Sequence, residues 1–329
     1  MRTLNLFLTL HSMQATIRLN NLSIGYQEKG QGRKLIAQGI NATLYAGELT
    51  CLLGSNGAGK STLLRTLSAF LSPLDGEIIV GDKPLHEYTD GERARTISVV
   101  LTEKNELTHT TVYELVSLGR TPYTDFWGNL TPEDHQTVSQ SLKAVGMLDF
   151  AQRKVDTLSD GERQKVMIAK ALAQQTPVII LDEPTAFLDF PSKIETMLLL
   201  SQLAHQTQKT ILLSTHDLEL ALQTADRLWL MKRDRNHTAD KASENTDTVC
   251  NKADTVCNDE NKAFNHTASE NTDTVCNKAD TVCNNAIFQA SPIQTGKPDE
   301  LAQNGVLGCL FTGDGFTFDT HEMRFKINK

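Results

Sequence analysis

Four short stretches of this chain hold side chains suited to phosphate chemistry. The first, GSNGAGKST at residues 54–62, fits the phosphate-loop pattern G-x-x-x-x-G-K-[ST]. An apolar run at 49–53 precedes it, and helix-forming residues at 63–71 follow. A loop between a strand and a helix turns several backbone N–H groups toward one point. A phosphate can bind at that point.

The second stretch is VIILDEP at residues 178–184, in which an apolar strand delivers two adjacent carboxylates to its carboxyl end. Hydrolysis of a nucleoside triphosphate needs Mg²⁺ at the β- and γ-phosphates and a group that orients or deprotonates water. Asp182 and the Ser61 hydroxyl suit the metal ion. Glu183 suits the water, and the ammonium of Lys60 suits the phosphates.

Two further stretches place polar groups where they could reach the same ligand. The sequence STHD at 214–217 follows a predicted strand, so His216 comes to the same sheet edge and can hydrogen-bond a γ-phosphate. The sequence LSDGERQ at 158–164 begins a helix. Ser159 lies in its N-cap position, and Gly161 lets a phosphate approach.

The elements that must hold these residues alternate between strand and helix. Residues 15–24 and 35–44 alternate apolar and polar side chains, which predicts an antiparallel pair with one exposed face. The other predicted strands are 49–53, 77–80, 97–101, 178–181, 210–214 and an alternating element at 227–231; the predicted helices are 63–71, 111–118, 132–145, 161–174 and 193–206. This order predicts an α/β fold with a parallel sheet covered by helices.

Composition excludes some classes of protein. The 329 residues have a net charge of −8 and no long Lys/Arg stripe, so we predict no nucleic-acid binding. No run of 18 apolar residues occurs, which argues against a membrane-spanning helix. The segment 1–13 faintly resembles a signal peptide but lacks a clear cleavage site, so translation starts at either Met1 or Met13, and we favour Met13.

A polar repeat interrupts the chain near its C-terminus. The sequence SENTDTVCNKADTVCN occurs at residues 243–258 and again at 269–284. Residues 236–285 contain nine acidic residues against four lysines, and Phe264 is their one large apolar residue. Such a composition cannot bury enough surface to offset the entropy of ordering, so we predict a disordered insertion.

The six cysteines fall into two groups. Cys51 and Cys309 lie in apolar runs and are predicted to be core residues. The others, at positions 250, 257, 276 and 283, lie in the repeat with C-x₆-C spacing. A four-thiol zinc site would call for pairs at about C-x₂₋₄-C, so the spacing argues against metal binding.

Taken together, residues 17–233 resemble the ATP-binding cassette (ABC) ATPase family. Residues 54–62 are similar to its Walker A motif, 178–183 to Walker B, 158–162 to the LSGGQ signature and 185–189 to the D-loop, and His216 matches its switch histidine. The resemblance implies an ABC-type P-loop NTPase core with an antiparallel β subdomain and a helical subdomain. It also implies an ATPase in which ATP is sandwiched between two copies, with closure on ATP binding and opening on hydrolysis.

The resemblance implies a role for each matching residue. Tyr26 falls where the family places an aromatic ring that stacks on adenine. The implied nucleotide-binding residues are Tyr26, Gly54, Ser55, Asn56, Gly57, Ala58, Gly59, Lys60, Ser61 and Thr62, with Ser159 and Gly161 contributed by the second copy; the implied catalytic residues are Lys60, Glu183 and His216; the implied Mg²⁺ ligands are Ser61, Asp182 and Thr102.

The chain departs from the family pattern at two places. The signature carries Asp160 and Glu162 where Gly and Gln are commoner. The Q-loop glutamine is expected at the end of the strand 97–101, but Thr102 and Glu103 stand there. Either Thr102 contributes a hydroxyl to the Mg²⁺ or water network, or Glu103 takes over part of the role.

Residues 111–154 are similar to the helical subdomain of ATPases that serve iron–siderophore, haem and cobalamin importers. That likeness implies a homodimer beneath integral-membrane permease subunits, at the cytoplasmic face of the inner membrane, fed by a substrate-binding protein. In one interpretation Tyr123, Phe126 and Trp127 pack the subdomain. This is compatible with a role in the permease contact, since such packing shapes the groove that receives a permease helix. The alternative function is a soluble ABC ATPase not coupled to transport, such as one of iron–sulfur assembly.

The predicted organisation has three parts. Residues 1–235 form the ATPase domain, with the helical subdomain at about 103–175. Residues 236–285 form the repeat insertion, and 286–329 form a tail, similar to the end of importer ATPases, that packs on the ATPase domain.

Overall fold

The computed structural model describes residues 14–28, 32–101, 109–232, 291–311, 316–319, 322 and 324–327. In chain order its elements are β1 (Ala15–Glu28), β2 (Gly32–Tyr45), β3 (Leu49–Gly54), α1 (Lys60–Leu67), β4 (Asp75–Val80), β5 (Lys83–Pro84), α2 (Asp90–Thr96), β6 (Ile97–Val100), α3 (Val112–Ser117), α4 (Pro132–Ala144), α5 (Asp160–Ala173), β7 (Val178–Leu181), α6 (Phe190–Thr207), β8 (Thr210–Ser214), α7 (Leu218–Thr224), β9 (Arg227–Met231), β10 (Ile293–Gly296), α8 (Pro298–Gln303), α9 (Val306–Phe311), β11 (Phe316–Asp319) and β12 (Arg324–Ile327). A 3₁₀ helix at Leu118–Tyr123 continues α3.

Two sheets organise these elements, and they confirm the predicted α/β class. A six-stranded sheet has the order β10-β9-β3-β8-β7-β6, and all of its strands except β10 run parallel. A four-stranded antiparallel sheet has the order β2-β1-β4-β5. The predicted antiparallel pairing of the first two strands is therefore also confirmed.

The parallel sheet lies between two apolar layers. Successive residues of a strand point to opposite faces. Cys51 accordingly belongs to the cluster formed with the helices α3–α6, and Leu52 belongs to the cluster that includes α1 and the antiparallel sheet. Cys51 is fully buried, as predicted, and burial raises the pKa of its thiol. The side chain of Cys309 lies outside the described part of the chain.

Two predicted elements were wrong in detail. The helix after the phosphate loop is α1, which begins at Lys60 rather than at 63 and ends at Leu67, after which Ala69 adopts a left-handed φ of 59°. The strand β9 does not alternate between an exposed and a buried face. Four of its five residues are buried because β3 and β10 flank it in the sheet, with apolar layers on both faces. The sequence reasoning also missed α2 and α7.

A buried arginine ties the helical region together. Arg120 Nε donates to Asp134 Oδ1 at 2.7 Å, and Nη1 donates to the Ala173 carbonyl at 2.7 Å and to Gln175 Oε1 at 2.8 Å. The ring of Tyr123 lies 4.0 Å from the guanidinium carbon. One side chain thus connects the 3₁₀ helix after α3 to α4 and to the end of α5. The packing interpretation holds for Tyr123.

The same interpretation is wrong for the two aromatic residues that follow. Phe126 is 94% exposed and Trp127 is 81% exposed, and they contact each other edge to face at 5.5 Å. Asp125 Oδ1 accepts the N–H groups of Trp127 and Asn129, both at 3.0 Å. This Asx-type turn fixes the backbone that presents the two rings to solvent.

The last elements return to the core. The side chains of Leu301, Leu307 and Phe318 belong to the same apolar cluster as β3 and β8. β10 pairs antiparallel with β9, and Lys232 N–H donates to the Pro292 carbonyl at 3.1 Å. Residues 233–290 therefore connect two adjacent strand ends. The predicted repeat insertion lies within that connection, outside the described residues.

Within the part of the chain that the structure describes, no helix has the length and apolar character needed to cross a bilayer.

Candidate nucleotide site

The loop between β3 and α1 has the backbone shape of an anion cradle. Gly57 and Gly59 have φ values of 76° and 104°, which L side chains rarely adopt. A Cβ at Gly54 would lie 2.3 Å from the Met231 carbonyl oxygen, so the loop also needs a glycine where it leaves the sheet. The space around Gly57 is open, which leaves room for a ligand against the backbone. α1 begins directly after the loop, and the N–H groups of the first turn of a helix favour an anion.

Lys60 lies across this loop. Its Nζ donates to the Gly54 carbonyl at 2.9 Å and to the Ser55 carbonyl at 3.4 Å. The residue is 6% exposed, and this burial lowers the pKa of the ammonium, while the carboxylates of Glu183 and Asp182 act in the opposite direction. The positive charge is thus held between the loop and the two acidic residues after β7.

The strand order brings the first of these acidic residues to the loop. Asp182 follows β7, and its Oδ1 accepts the Ser61 hydroxyl of α1 at 3.3 Å and the Ser214 hydroxyl of β8 at 2.7 Å. A carboxylate beside a hydroxyl, next to a phosphate cradle, is a donor set that suits Mg²⁺. Mg²⁺ takes one or two protein oxygens and fills its remaining positions with phosphate and water. The residues present therefore fit the implied ion.

Glu183 stands next to Asp182 in a strained backbone conformation. Its φ is 47°, a left-handed value that costs a non-glycine residue about 1–3 kcal/mol. Its N–H donates to Ser214 Oγ at 2.8 Å, and its Oε1 lies 2.7 Å from His216 Nε2. Lys60, Ser61, Asp182, Glu183 and His216, singled out separately in the sequence, therefore converge at one end of the parallel sheet.

Tyr26 also lies at this loop. Its hydroxyl lies 3.1 Å from Thr62 Oγ1, and the residue is partly buried. This contact connects β1 of the antiparallel sheet to the first turn of α1. The ring is placed beside the phosphate loop, and adenine stacking remains a prediction.

The signature residues form the start of α5. The Ser159 hydroxyl accepts the Glu162 N–H at 3.3 Å, and Glu162 Oε2 accepts the Ser159 N–H at 2.8 Å. This capping box gives a structural reason for Glu162, and the Ser159 N–H, followed by the Ser159 hydroxyl, lowers the pKa of that carboxyl. Asp160 is exposed. Among the described contacts, none joins Ser159 or Gly161 to the phosphate loop of the same chain.

Two residues mark the limits of the sequence reasoning. Thr102, a predicted metal ligand, lies outside the described residues together with Glu103, so both roles stay predictions. Ser214 was not singled out, although its hydroxyl contacts both residues of the Asp182–Glu183 pair. The signal that could have found it is its place at the end of the strand that neighbours β7.

Comparison with known proteins decides the family. A family model for ABC transporters matches residues 37–186. A Methanocaldococcus jannaschii protein named as an uncharacterized ABC transporter ATP-binding protein is 43% identical over 216 residues, which are 66% of this chain and 73% of that protein. The chain belongs to the ABC transporter ATP-binding family. It is an ATPase of that family.

Two further relatives give this ABC ATPase its context. The ferric enterobactin transport ATP-binding protein of Escherichia coli is 36% identical, over 65% of this chain and 77% of that protein. A solved ABC cassette dimer in a post-hydrolysis state with ADP and Pi is 27% identical, with a TM-score of 0.57, and the match covers 67% of this chain and 97% of that one. This ABC ATPase thus shares its fold with a cassette solved as a nucleotide-bound dimer.

Proposed function

We propose that this chain is the ATP-hydrolysing subunit of an importer for iron–siderophore complexes, haem or cobalamin. The convergence of Lys60, Ser61, Asp182, Glu183 and His216 is the observation that carries the hydrolytic part. The similarity to the ferric enterobactin transport ATP-binding protein of Escherichia coli supports the substrate class. In this proposal the chain acts at the cytoplasmic face of the inner membrane with permease subunits, which receive substrate from a binding protein.

Each site residue has a separate role in the proposed hydrolysis. The N–H groups of the phosphate loop and the Lys60 ammonium bind the β- and γ-phosphates and balance their charge. Ser61 and Asp182 hold Mg²⁺, which when bound neutralises charge on the phosphate oxygens. Glu183 orients the attacking water and accepts its proton. His216 holds the Glu183 carboxylate through its Nε2.

The proposed active unit is a homodimer. Ser159 and Gly161 lie at the N-terminus of α5, where helix N–H groups and the helix dipole favour an anion. Because they share no described contact with the phosphate loop of their own chain, we assign them to the γ-phosphate of the partner's nucleotide. The solved cassette dimer with ADP and Pi supports this arrangement.

The proposed permease contact includes Phe126 and Trp127. Large exposed aromatic side chains on a fixed backbone are typical anchors of protein interfaces, because little entropy is lost when they are covered. The turn formed by Asp125 provides that fixed backbone. Their place in the segment that resembles importer ATPases favours a permease helix as the partner.

Co-purification with a permease tests the proposal. The chain is co-expressed with candidate permease subunits and purified through a tag on the permease. We expect retention of the ATPase and stimulation of its turnover, and we expect F126S/W127S to weaken both. Phe70→Ser is the matched control, because Phe70 is 61% exposed but lies just after α1, outside the helical region. Wild-type activity without retention by any co-expressed permease would favour the soluble ATPase instead.

A further inference from the structure

Ser214 lies at the end of β8, where it contacts both carboxylate residues of the site. The register of the parallel pair places Leu213 beside Leu181, so the next residues on the two strands, Ser214 and Asp182, are neighbours. Ser214 has no solvent exposure. A nucleotide in the cradle would therefore not contact it.

The hydrogen bonds of Ser214 have a fixed direction. A backbone N–H can only donate, so Ser214 Oγ must accept the Glu183 N–H at 2.8 Å. A serine hydroxyl carries one proton, and here that proton is donated to Asp182 Oδ1 at 2.7 Å. The same carboxylate oxygen accepts the Ser61 hydroxyl, so Ser214 acts on the atom that faces the phosphate loop.

Ser214 also belongs to a segment that holds Glu183 at two points. Its hydroxyl holds the Glu183 backbone, whose φ is 47°, and His216 holds the side chain of Glu183 at 2.7 Å. The segment is anchored to β3 because the Thr215 N–H donates to the Leu52 carbonyl at 3.1 Å. The position of both carboxylates relative to the phosphate loop is thus set through β8.

We propose that Ser214 is a positioning residue for ATP hydrolysis. Its buried hydroxyl donates to the Asp182 carboxylate and so orients this carboxylate toward the Mg²⁺ position. The same hydroxyl accepts the Glu183 N–H and so holds the backbone turn that directs the Glu183 side chain toward the water. The inference rests on the proposed roles of Asp182 and Glu183. Ser214 itself contacts neither nucleotide nor metal ion.

The test compares Ser214→Ala with Ser214→Thr, which keeps the hydroxyl, and with a matched control. Ser98→Ala is that control, because Ser98 is also buried and lies on β6, where it donates to the Val178 carbonyl at the opposite end of β7. Four quantities are measured on each full-length variant: kcat, KM for ATP, melting temperature, and the binding of a fluorescent ATP analogue as Mg²⁺ is titrated from an EDTA-treated start.

We expect S214A to lower kcat by about 10–100-fold and to raise the half-saturating Mg²⁺ concentration by a similar factor, as for other residues that orient a metal ligand. Binding of the analogue in EDTA should be unchanged, and S214T should recover most of the loss. S98A should change none of these apart from melting temperature. Asp182→Asn and Glu183→Gln, measured in parallel, report on the proposed function independently.

The inference is overturned if S214A keeps wild-type kcat and Mg²⁺ dependence while D182N and E183Q lose hydrolysis. Retained hydrolysis in D182N and E183Q would instead refute the roles on which it rests. If S214A does not fold, Ser214→Cys replaces it. A thiol nearly fills the space of the hydroxyl, but it is a weak hydrogen-bond donor to Asp182. Equal kcat and Mg²⁺ dependence in S214C and S214T would then count against a role for the hydroxyl.

Discussion

His216 Nε2 lies 2.7 Å from Glu183 Oε1, across the ends of two adjacent parallel strands. Glu183 is the second residue after the end of β7, and His216 is the second residue after the end of β8, so the contact ties together the two loops that follow these strands. An ionised carboxylate can only accept, and the imidazole therefore donates from Nε2. In the proposed mechanism this contact orients Glu183 as the base, with His216 as its support.

The first prediction concerns that base. Glu183→Gln keeps the size and the hydrogen-bonding reach of the side chain but removes its capacity to accept a proton. We expect ATP hydrolysis to fall by about 10²–10⁴-fold, the usual scale for a lost acid–base partner, while ATP binding persists. In the proposed homodimer closure depends on ATP and opening on hydrolysis, so the variant should accumulate as an ATP-bound dimer in size-exclusion chromatography.

A matched control is Glu195→Gln, in which an exposed glutamate on α6 that pairs with Lys165 is changed in the same way. Phosphate release by this variant should equal that of the parent. Near-normal turnover in E183Q itself would refute the role of Glu183.

The second prediction concerns nucleotide affinity. Lys60→Ala removes a buried ammonium that lies against the phosphate loop, and charge-assisted contacts to phosphate are lost with it. We expect the Kd for a fluorescent ATP analogue to rise by about 10–100-fold. Lys143→Ala, at the exposed end of α4, should leave the Kd unchanged. An unchanged Kd in K60A would contradict the phosphate-loop assignment.

Local sequence was sufficient to predict the phosphate loop and the acidic pair after β7, Asp182 and Glu183. Each is a motif of adjacent residues whose chemistry follows from its spacing, and the strands that carry them are short apolar runs. This reasoning did not find Ser214, although its place at the end of β8 was a signal. Its role depends on which strand neighbours β7, and the chain order of β7 and β8 alone does not give their register.

The segment Leu118–Tyr123 also makes contacts that local sequence does not predict. Arg120 lies in the segment that resembles importer ATPases, but its partners Asp134, Ala173 and Gln175 come from distant parts of the chain. Only the folded arrangement shows that Arg120 and Tyr123 are structural. The same arrangement leaves Phe126 and Trp127 exposed, although one interpretation of the sequence had them pack the subdomain.

The third prediction concerns the position where the family carries a glutamine. If the Thr102 hydroxyl substitutes for that amide, Thr102→Ala should lower permease-coupled ATPase activity more than Glu103→Ala does. Steady-state turnover with and without permease measures the difference. The opposite ranking would assign the role to Glu103, and two silent variants would mean that neither residue has it.

The fourth prediction concerns the buried pair of Arg120 and Asp134, whose side chains are 7% and 4% exposed. Asp134→Asn leaves the guanidinium without its ionic partner. Removing one member of a buried pair costs about 3–5 kcal/mol, so the free energy of unfolding at pH 7 should fall by that order. Urea unfolding followed by circular dichroism measures it, with exposed Asp149→Asn as the control.

The loss in D134N should depend on pH in a defined direction. The Thr131 N–H, together with Arg120, holds the pKa of the Asp134 carboxyl below its usual value in the folded state. The stabilisation is therefore complete above the unfolded pKa of about 4 and is lost as pH falls toward the folded value. The difference between parent and D134N should be constant from pH 7 to about 5 and shrink below about 4. A difference that stays constant at pH 3 would contradict this assignment.

The last prediction is that the repeat at residues 236–285 is dispensable for folding and hydrolysis. Lys232 and Pro292 are hydrogen-bonded to each other at the ends of β9 and β10, so the connection between them starts and finishes at one place. Each doubling of loop length costs only about 0.6 kcal/mol, so a shorter connection should leave stability equal or slightly higher. Joining Arg235 to Ala286 should therefore preserve melting temperature and ATP turnover. A large loss of either, or stoichiometric zinc released from the parent but not from the deletion variant, would mean that the repeat is a folded element with a role of its own.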